Sequence, residues 1–528
     1  MNLFTRSKKE LPFHLFLFLC LALVLLPSFL TAIFLDTSVY NNSSDTFLYL
    51  DIARHLQAGE GFLCTFNVYQ FWRGIAAPAL PFVHVGLSIL LAAALSIGCS
   101  IKSLILGGFL PAIVNGFLVA AIARRIYRDR GLAFWASVIL VACVCTQITL
   151  LRVLTEQWSL LITLLAVLIF VSKETWSRWS LAGLAGLLFL GFVVRSAAVF
   201  YPYIFALAMI AGRSGETRPW RQTVFFVSVY TALLILWEGF IFLRYGSFFP
   251  QYPLAFKNYF LATRMTGGMF LDRTPALLSF SGSGRFRFAS VTVVNAAEMF
   301  YVLFCILRVL VVPALWAAMS VLRRGSRAER LLLFLAAGQM AASLGFYPYM
   351  VIGEFSWTRF LLLPAACLLI LGGWGLRDFC VKFLPRTGKV FFHVVCAVIL
   401  IANMYQAVRV LGVYWKEGNG GVKEAGLKAA KGWVLSNTEK GDLIATSEYV
   451  VGNVGLERPV VVLPSHKTMS SNNLKDFLMV FSPQALLFEY TLPLDRRILA
   501  SEGFAAVPAA PSSAGPFVIY RRDKDISE

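Results

Sequence analysis

Charge is scarce in this 528-residue sequence: Asp, Glu, Lys and Arg together make up 14%, against about a quarter in an ordinary soluble domain. Hydrophobic residues make up 58% and the mean hydropathy is +0.72. That balance excludes a soluble globular protein and describes a polytopic membrane protein. Histidine is scarcer still: the five (His14, His55, His84, His393, His466) lie far apart with no HExxH pattern, so no zinc site is readable. No GxGxxG or Walker A pattern is present to bind a nucleotide-activated substrate. The nine cysteines are scattered, eight in or beside apolar segments and only Cys64 in a long polar loop, so no disulfide framework is legible. No internal repeat or low-complexity segment stands out. Acidic residues are outnumbered, 28 to 47; in a soluble chain a surplus of +19 would suggest nucleic acid, but here it must first be mapped onto loops.

What is abundant is apolar sequence. Runs long enough to cross a bilayer, about 20 residues with tolerance for tilt, occur at 11–35, 103–123, 131–151, 157–172, 180–194, 197–212, 222–243, 296–320, 329–350, 358–376 and 388–413. The first follows Arg6, Lys8 and Lys9 and is too long for a cleaved signal peptide, so it reads as a retained helix with its N-terminus inside. A further stretch, 78–97, is ambiguous by length, and charge decides it. Counted as a span, it would put the cluster Arg124-Arg125-Ile-Tyr-Arg128-Asp-Arg130 and every later one outside, against the positive-inside rule. With eleven spans instead, segments 1–11, 124–130, 173–178, 213–221, 323–330 and 377–389 all face the cytoplasm, holding 20 basic and 6 acidic residues. The tail from residue 416 is balanced, with 13 of each sign.

This topology predicts an α-helical polytopic membrane domain over 1–413 in the inner (plasma) membrane. Long outer loops fall at 36–102 and 244–295, and a small extracytoplasmic α/β domain occupies 414–528. The tail carries short strand-like segments, Asp442–Thr446 and Arg458–Leu463, and a helical pattern over Asn473–Val480. The chemistry-bearing residues fall on the outer face. In the first loop Ser44 or Asp45 can cap a helix in which Leu48, Ile52 and Leu56 share one stripe, so the helix should lie flat on the membrane surface, closed by Gly59 and Gly61. Asp45 either only caps that helix or is held there for chemistry.

The run from Ser44 to Phe62 resembles the first-loop motif of the GT-C glycosyltransferase superfamily, especially the bacterial relatives of protein O-mannosyltransferases and of aminoarabinose transferase. Asp45, Tyr49, Ile52, Ala53, Leu56, Gly59, Gly61 and Phe62 match its pattern D-x-x-x-Y-x-x-I-A-x-x-L-x-x-G-x-G-[FY]. Arg152-Val-Leu-Thr-Glu156-Gln-Trp is similar to that superfamily's second acidic motif. The stretch from Tyr347 through Glu354 and Arg359 to Pro364 resembles its late carboxylate-and-arginine stretch, and the tail resembles its small outer domain. The likeness covers nearly the full length, in topology more than in identity. One departure matters: Glu156 stands alone where oligosaccharyltransferases have an Asp-x-Asp type pair that helps hold a divalent metal, so the resemblance implies no cofactor.

The resemblance implies sugar transfer from a polyprenyl-phosphate donor to an acceptor hydroxyl on a glycan, lipid or protein, with inversion. An outer membrane face lacks nucleotide sugars, which points to the same lipid-linked donor. Such transfer needs a base for the acceptor and cations for the departing phosphate, and guanidinium suits phosphate because it stays charged and binds bidentately. Asp45 fits the first role, and Arg195, Arg359, Arg264 and Lys257 all lie at the outer boundary. Arg195 interrupts an apolar stretch and should face a cavity or partner, or else snorkel to headgroups. Arg359 contacts phosphate or pairs with Glu354; Lys257 and Arg264 contact phosphate or face lipid. Glu156 positions the acceptor or the arginines, or is a helix-start carboxylate favoured by the dipole. Tyr49 is a substrate-side candidate, while His55 and Glu238 read as structural. Membrane lipids are expected partners and nucleic acid is not. The competing readings are a flippase or transporter of lipid-linked sugars, which should carry polar residues within several spans, and an O-antigen polymerase or ligase that moves whole oligosaccharides.

Overall fold

The computed structural model describes residues 11–34, 44–64, 85–211, 219–246, 284–346, 358–418 and 422–446, then 458–462, 474–489, 496–507 and 517–522, apart from isolated positions. Eighteen helices and five strands are used below. The helices are α1 Leu11–Phe34, α2 Ser44–Gln57, α3 Gly86–Ser96, α4 Ile101–Gly107, α5 Phe109–Tyr127, α6 Arg130–Ala142, α7 Val144–Leu150, α8 Glu156–Ser172 and α9 Arg178–Val194. They continue as α10 Tyr201–Ala211, α11 Pro219–Tyr245, α12 Gly284–Leu307, α13 Val311–Arg324, α14 Arg327–Phe346, α15 Leu362–Phe383, α16 Gly388–Gly418, α17 Val422–Asn437 and α18 Arg496–Ser501. The strands are β1 Ile444–Thr446, β2 Val460–Val462, β3 Ala485–Glu489, β4 Phe504–Ala506 and β5 Phe517–Arg522. The chain divides into two compact units. One holds Met1–Ile33, Ile105–Phe240 and Gly282–Leu411; the other holds Phe34–Leu104, Ile241–Ser281 and Gly412–Glu528.

The first unit is the membrane bundle, and each of the eleven apolar stretches contributes helix to it. Six of the described helical segments are long and apolar enough to cross a membrane individually. The stretch read as one span at 131–151 is instead broken: α6 and α7 meet at Cys143, whose backbone is extended, with a bend of 51°. Neither proline nor glycine causes the break. It is tolerated because side chains of α7 satisfy the freed carbonyls: Thr146 Oγ1 donates to Leu140 O at 2.8 Å and Gln147 Nε2 to Val141 O at 2.6 Å. Within stretch 78–97 the described residues form α3, whose 11 residues rise about 16 Å.

Helices α13 and α15 approach closely through small residues. Ala314 lies against Gly372, and Ala317 against Gly375. Lipid tails are as apolar as leucine, so such interfaces gain from close van der Waals packing rather than from excluding water. The basic segments meet at one end of this unit. Arg125 donates to Ser172 O and Arg327 to Lys173 O, both at 3.2 Å, and Arg330 donates to Ala211 O. Arg377 pairs with Asp129, the N-cap of α6. Three of these contacts place arginines on carbonyls at the C-terminal ends of α8 and α10, where the helix dipole favours cations.

In the second unit α2 packs on α3 and Gln57 Nε2 donates to Ser96 Oγ at 3.2 Å. Its tail forms a five-stranded sheet of order β2-β1-β3-β5-β4, with β1 parallel to β2 and β3, and β5 antiparallel to β3 and β4. Val461, Phe477, Leu486 and Tyr520 are among its core residues. Both strand-like segments read from the sequence are strands, and 474–475 and 477–479 are helical as patterned.

At Gly375 a Cβ would overlap Pro313 O. Gly375→Val should therefore destabilise the bundle by about 1–3 kcal/mol through overpacking, read as a lower midpoint in thermal unfolding of the detergent-solubilised protein. Gly183→Val, at a site with open space, is the control and should leave the midpoint near wild type.

Candidate active site

Three expected residues converge at the end of the first unit opposite the basic segments: α8 runs from Glu156 at this end to Ser172 at the other. Glu156 is the first residue of α8. Arg195 ends α9 in extended conformation, at the turn into the 3-10 helix Ser196–Phe200. Arg359 lies in the helical turn 358–360 just before α15. Arg195 Nη1 and Arg359 Nε stand 2.7 and 2.6 Å from the same carboxylate oxygen, Glu156 Oε1. Side-chain exposure is 1% for Glu156, 11% for Arg195 and 15% for Arg359. Arg195 also donates to Thr155 Oγ1 at 3.2 Å and lies 5.6 Å from the Phe360 ring centroid.

Among the described residues the cluster sets two guanidiniums on one buried carboxylate. Glu156 Oε2 is enclosed with no hydrogen-bond partner. A small cavity opens beside it, lined in part by Ser159, Thr163, Tyr201, Gln339 and Phe360. Tyr201 Oη donates to Gln339 Oε1 at 3.0 Å, and Gln339 Nε2 to Ser343 Oγ at 3.2 Å. One end of the cavity is therefore ionic, and on the rest the hydrogen-bonded Tyr201 and Gln339 stand among Leu160, Leu362 and Leu363.

Glu156 is held by the start of its own helix. Asn115 Nδ2, on α5, donates to both Gln157 O and Gln157 Oε1 at 3.0 Å. Gln157 Nε2 donates to Thr149 Oγ1 of the broken helix α7 at 2.8 Å. Asn115, Gln157, Tyr201, Gln339 and Thr155 carry no motif of their own in the sequence. The signal available was polar residues inside apolar runs, which are costly there without partners.

In the second unit Asp45 stands in the first turn of α2, where the sequence put it, and its side chain lies outside the described residues. Of the stripe read as lying on the membrane surface, Leu48 and Ile52 are buried within the protein and Leu56 is half-buried; Leu50, Ala53 and Tyr49, 3% exposed, are buried as well. His55 contacts Glu60 and, at 3.9 Å, Asp51, a local structural role. Gly59, φ +79°, closes α2 with Glu60 N–H bonded to His55 O. Gly61 has φ +93° and a different reason to be glycine: a Cβ would overlap the Tyr245 hydroxyl, which accepts from Phe62 N–H at 2.7 Å. Glu354, Lys257 and Arg264 lie outside the described residues, and with them the expected Glu354–Arg359 pair. Among the described residues no group of three His, Cys, Asp or Glu side chains is placed to hold a metal ion.

No protein-family model matches the chain, and no curated protein matches it in sequence. Solved structures do. ArnT from Cupriavidus metallidurans bound to undecaprenyl phosphate is similar with a TM-score of 0.58 at 12% identity, over 97% of this chain and 98% of that one. The archaeal oligosaccharyltransferase AglB from Archaeoglobus fulgidus, in complex with an inhibitory peptide and a dolichol-phosphate, is similar with a TM-score of 0.57 at 12% identity, over 97% of this chain and 74% of that one. Both are GT-C glycosyltransferases, and this chain has the GT-C fold: a helical, multi-pass membrane protein with a small C-terminal sheet region.

Two outcomes test the geometry. Glu156→Leu leaves two guanidiniums buried without their shared carboxylate and should cost about 3–5 kcal/mol, measured as loss of folded, monodisperse protein on heating. Gly61→Ala should lower the same midpoint, whereas Gly59→Asn, which tolerates positive φ, should be near neutral.

Proposed function

We propose that this protein is an inverting glycosyltransferase that moves a sugar from a polyprenyl-phosphate donor to an acceptor hydroxyl, on the membrane face opposite its basic loops. The observation that carries the reading is the Glu156–Arg195–Arg359 cluster: two arginines held by one carboxylate, beside a cavity. As the glycosidic bond breaks, negative charge develops on the phosphate. Preorganised guanidiniums stabilise that charge without reorganising at the moment of reaction. Arg359 and Arg195 take this role, and Glu156 fixes their planes; Lys257 and Arg264 are further candidates for phosphate contact.

Asp45 is the base. It takes the acceptor's hydroxyl proton as the oxygen attacks the anomeric carbon in line, the bond to the phosphate oxygen breaks, and the carrier leaves as polyprenyl phosphate. Glu354 and Tyr49 belong to the donor and acceptor side of this reading, and the tail shapes the acceptor site on the extracytoplasmic face. The GT-C fold, and the lipid phosphates bound in the structures of ArnT and AglB, support a lipid-linked donor.

Turnover of a polyprenyl-phosphate sugar in proteoliposomes tests the roles separately. Asp45→Asn should lower kcat by about a hundred- to ten-thousand-fold, the range for a positioned general base, with little change in KM. Near-wild-type turnover would remove Asp45 as the base. Arg359→Gln should also lower kcat, by about a hundred- to a thousandfold, and Arg359→Lys should restore part of it, since lysine keeps the charge without the fork.

A further inference from the structure

A second arginine site lies within the membrane bundle. Arg308 interrupts the apolar segment Val293–Arg324. Its φ is 55°, a left-handed value uncommon for a residue with a side chain, and it opens the 3-10 turn Arg308–Leu310 that separates α12 from α13. Such a break frees backbone carbonyls, and α16 supplies a repair: Asn403 Nδ2 donates to Ile306 O at 3.1 Å as well as to its own Ile399 O at 3.0 Å. Almost one turn further along the same helix face, Gln406 Oε1 accepts from Arg308 Nη2 at 2.7 Å.

Repair of the break accounts for Asn403 and leaves the charge unanswered. Gln406 is neutral, and no carboxylate among the described residues pairs with Arg308. Arg308 Nε and Asn403 Oδ1 are both enclosed without a hydrogen-bond partner. Arg195 and Arg359, by contrast, share Glu156. A cation kept in an apolar layer with no counter-ion among the described residues suits an anion from the surrounding lipid.

The surroundings say which kind. Arg308 is half-buried, and its neighbours Phe304 and Val312, one turn to either side, are 54% and 72% exposed, as is Tyr405 beside Gln406 at 71%. The open side of Arg308 therefore faces lipid. By helical rise, Arg308 lies about 22 Å from Arg323, and Gln406 about 27 Å from Gly388, both measured from the basic end of the bundle. In a hydrocarbon layer about 30 Å thick the guanidinium sits just beneath the headgroups of the opposite leaflet, within reach of a phosphate by snorkelling.

We infer that Arg308, braced by Gln406 at the α12–α13 break, binds the phosphate of an anionic lipid in that leaflet. The site uses no residue of the Glu156 cluster and does not depend on the catalytic reading. Its test is photolabelling of the full-length protein in nanodiscs with a photoactivatable phosphatidic acid, against a photoactivatable phosphatidylcholine as reference, with the label quantified on peptides 301–311 and 399–409. Wild type should prefer phosphatidic acid at these peptides by about tenfold or more, the factor expected of a charge-assisted phosphate contact. Arg308→Gln should abolish the preference. Gln406→Glu should weaken it while keeping the arginine, because it supplies an internal counter-ion. Excess inorganic phosphate should leave the label in place. Equal labelling by the two lipids in wild type, an unchanged preference in both variants, or displacement by inorganic phosphate would each overturn the assignment.

Discussion

Two guanidiniums on one carboxylate oxygen, at the end of a bundle of apolar helices, are the constraint around which this structure is arranged. Arg195 and Arg359 approach Glu156 Oε1 from helix ends that are 39 and 203 residues away in sequence. Each ion alone would be expensive to bury, and their attraction offsets that cost only because the geometry is close and Thr155 and Phe360 contribute further contacts. The cluster therefore fixes the start of α8, the end of α9 and the approach to α15 relative to one another. Asn115, Gln157 and Thr149 brace the same point from behind. A site held this way keeps both guanidiniums fixed beside the cavity without further rearrangement.

The opposite end of the bundle handles charge differently. Its arginines are numerous, exposed or half-exposed, and individually weak, yet Arg125, Arg327 and Arg330 sit on the terminal carbonyls of α8 and α10. These basic residues supply donors to the last carbonyls of helices that end there. Charge thus has two separate uses here: many solvated cations at one end that cap helices, and a few buried ions at the other that hold three helix ends together.

Much of this was legible in the sequence. Hydropathy located each of the eleven helical stretches, because it is a local sum that packing does not reverse. Gly59 and Gly61 were legible as helix closers; only the structure separates them, one needing positive φ and the other also needing space for Tyr245. Glu156, Arg195 and Arg359 were each identifiable as boundary charges. Their sharing of one oxygen was not, since Glu354 offered Arg359 a nearer partner along the chain. The spans were also less bland than hydropathy indicates. Gln147, Gln157, Gln339 and Asn403 are diluted by their apolar neighbours in any window average, although each carries a hydrogen bond that holds a helix end or a break.

The sequence by itself determined that this chain crosses a membrane repeatedly, which loops carry the orienting charge, and which few ionisable residues remain once those are subtracted. These follow from composition and periodicity, which act residue by residue. The tertiary structure alone decided that α6 and α7 are broken at Cys143, that Glu156 unites two distant arginines, and that Arg308 has no carboxylate among the described residues. Whether a buried charge is paired depends on which helix faces lie against each other, and that is set by close packing of small residues such as Gly372, Gly375, Ala314 and Ala317, which hydropathy does not register.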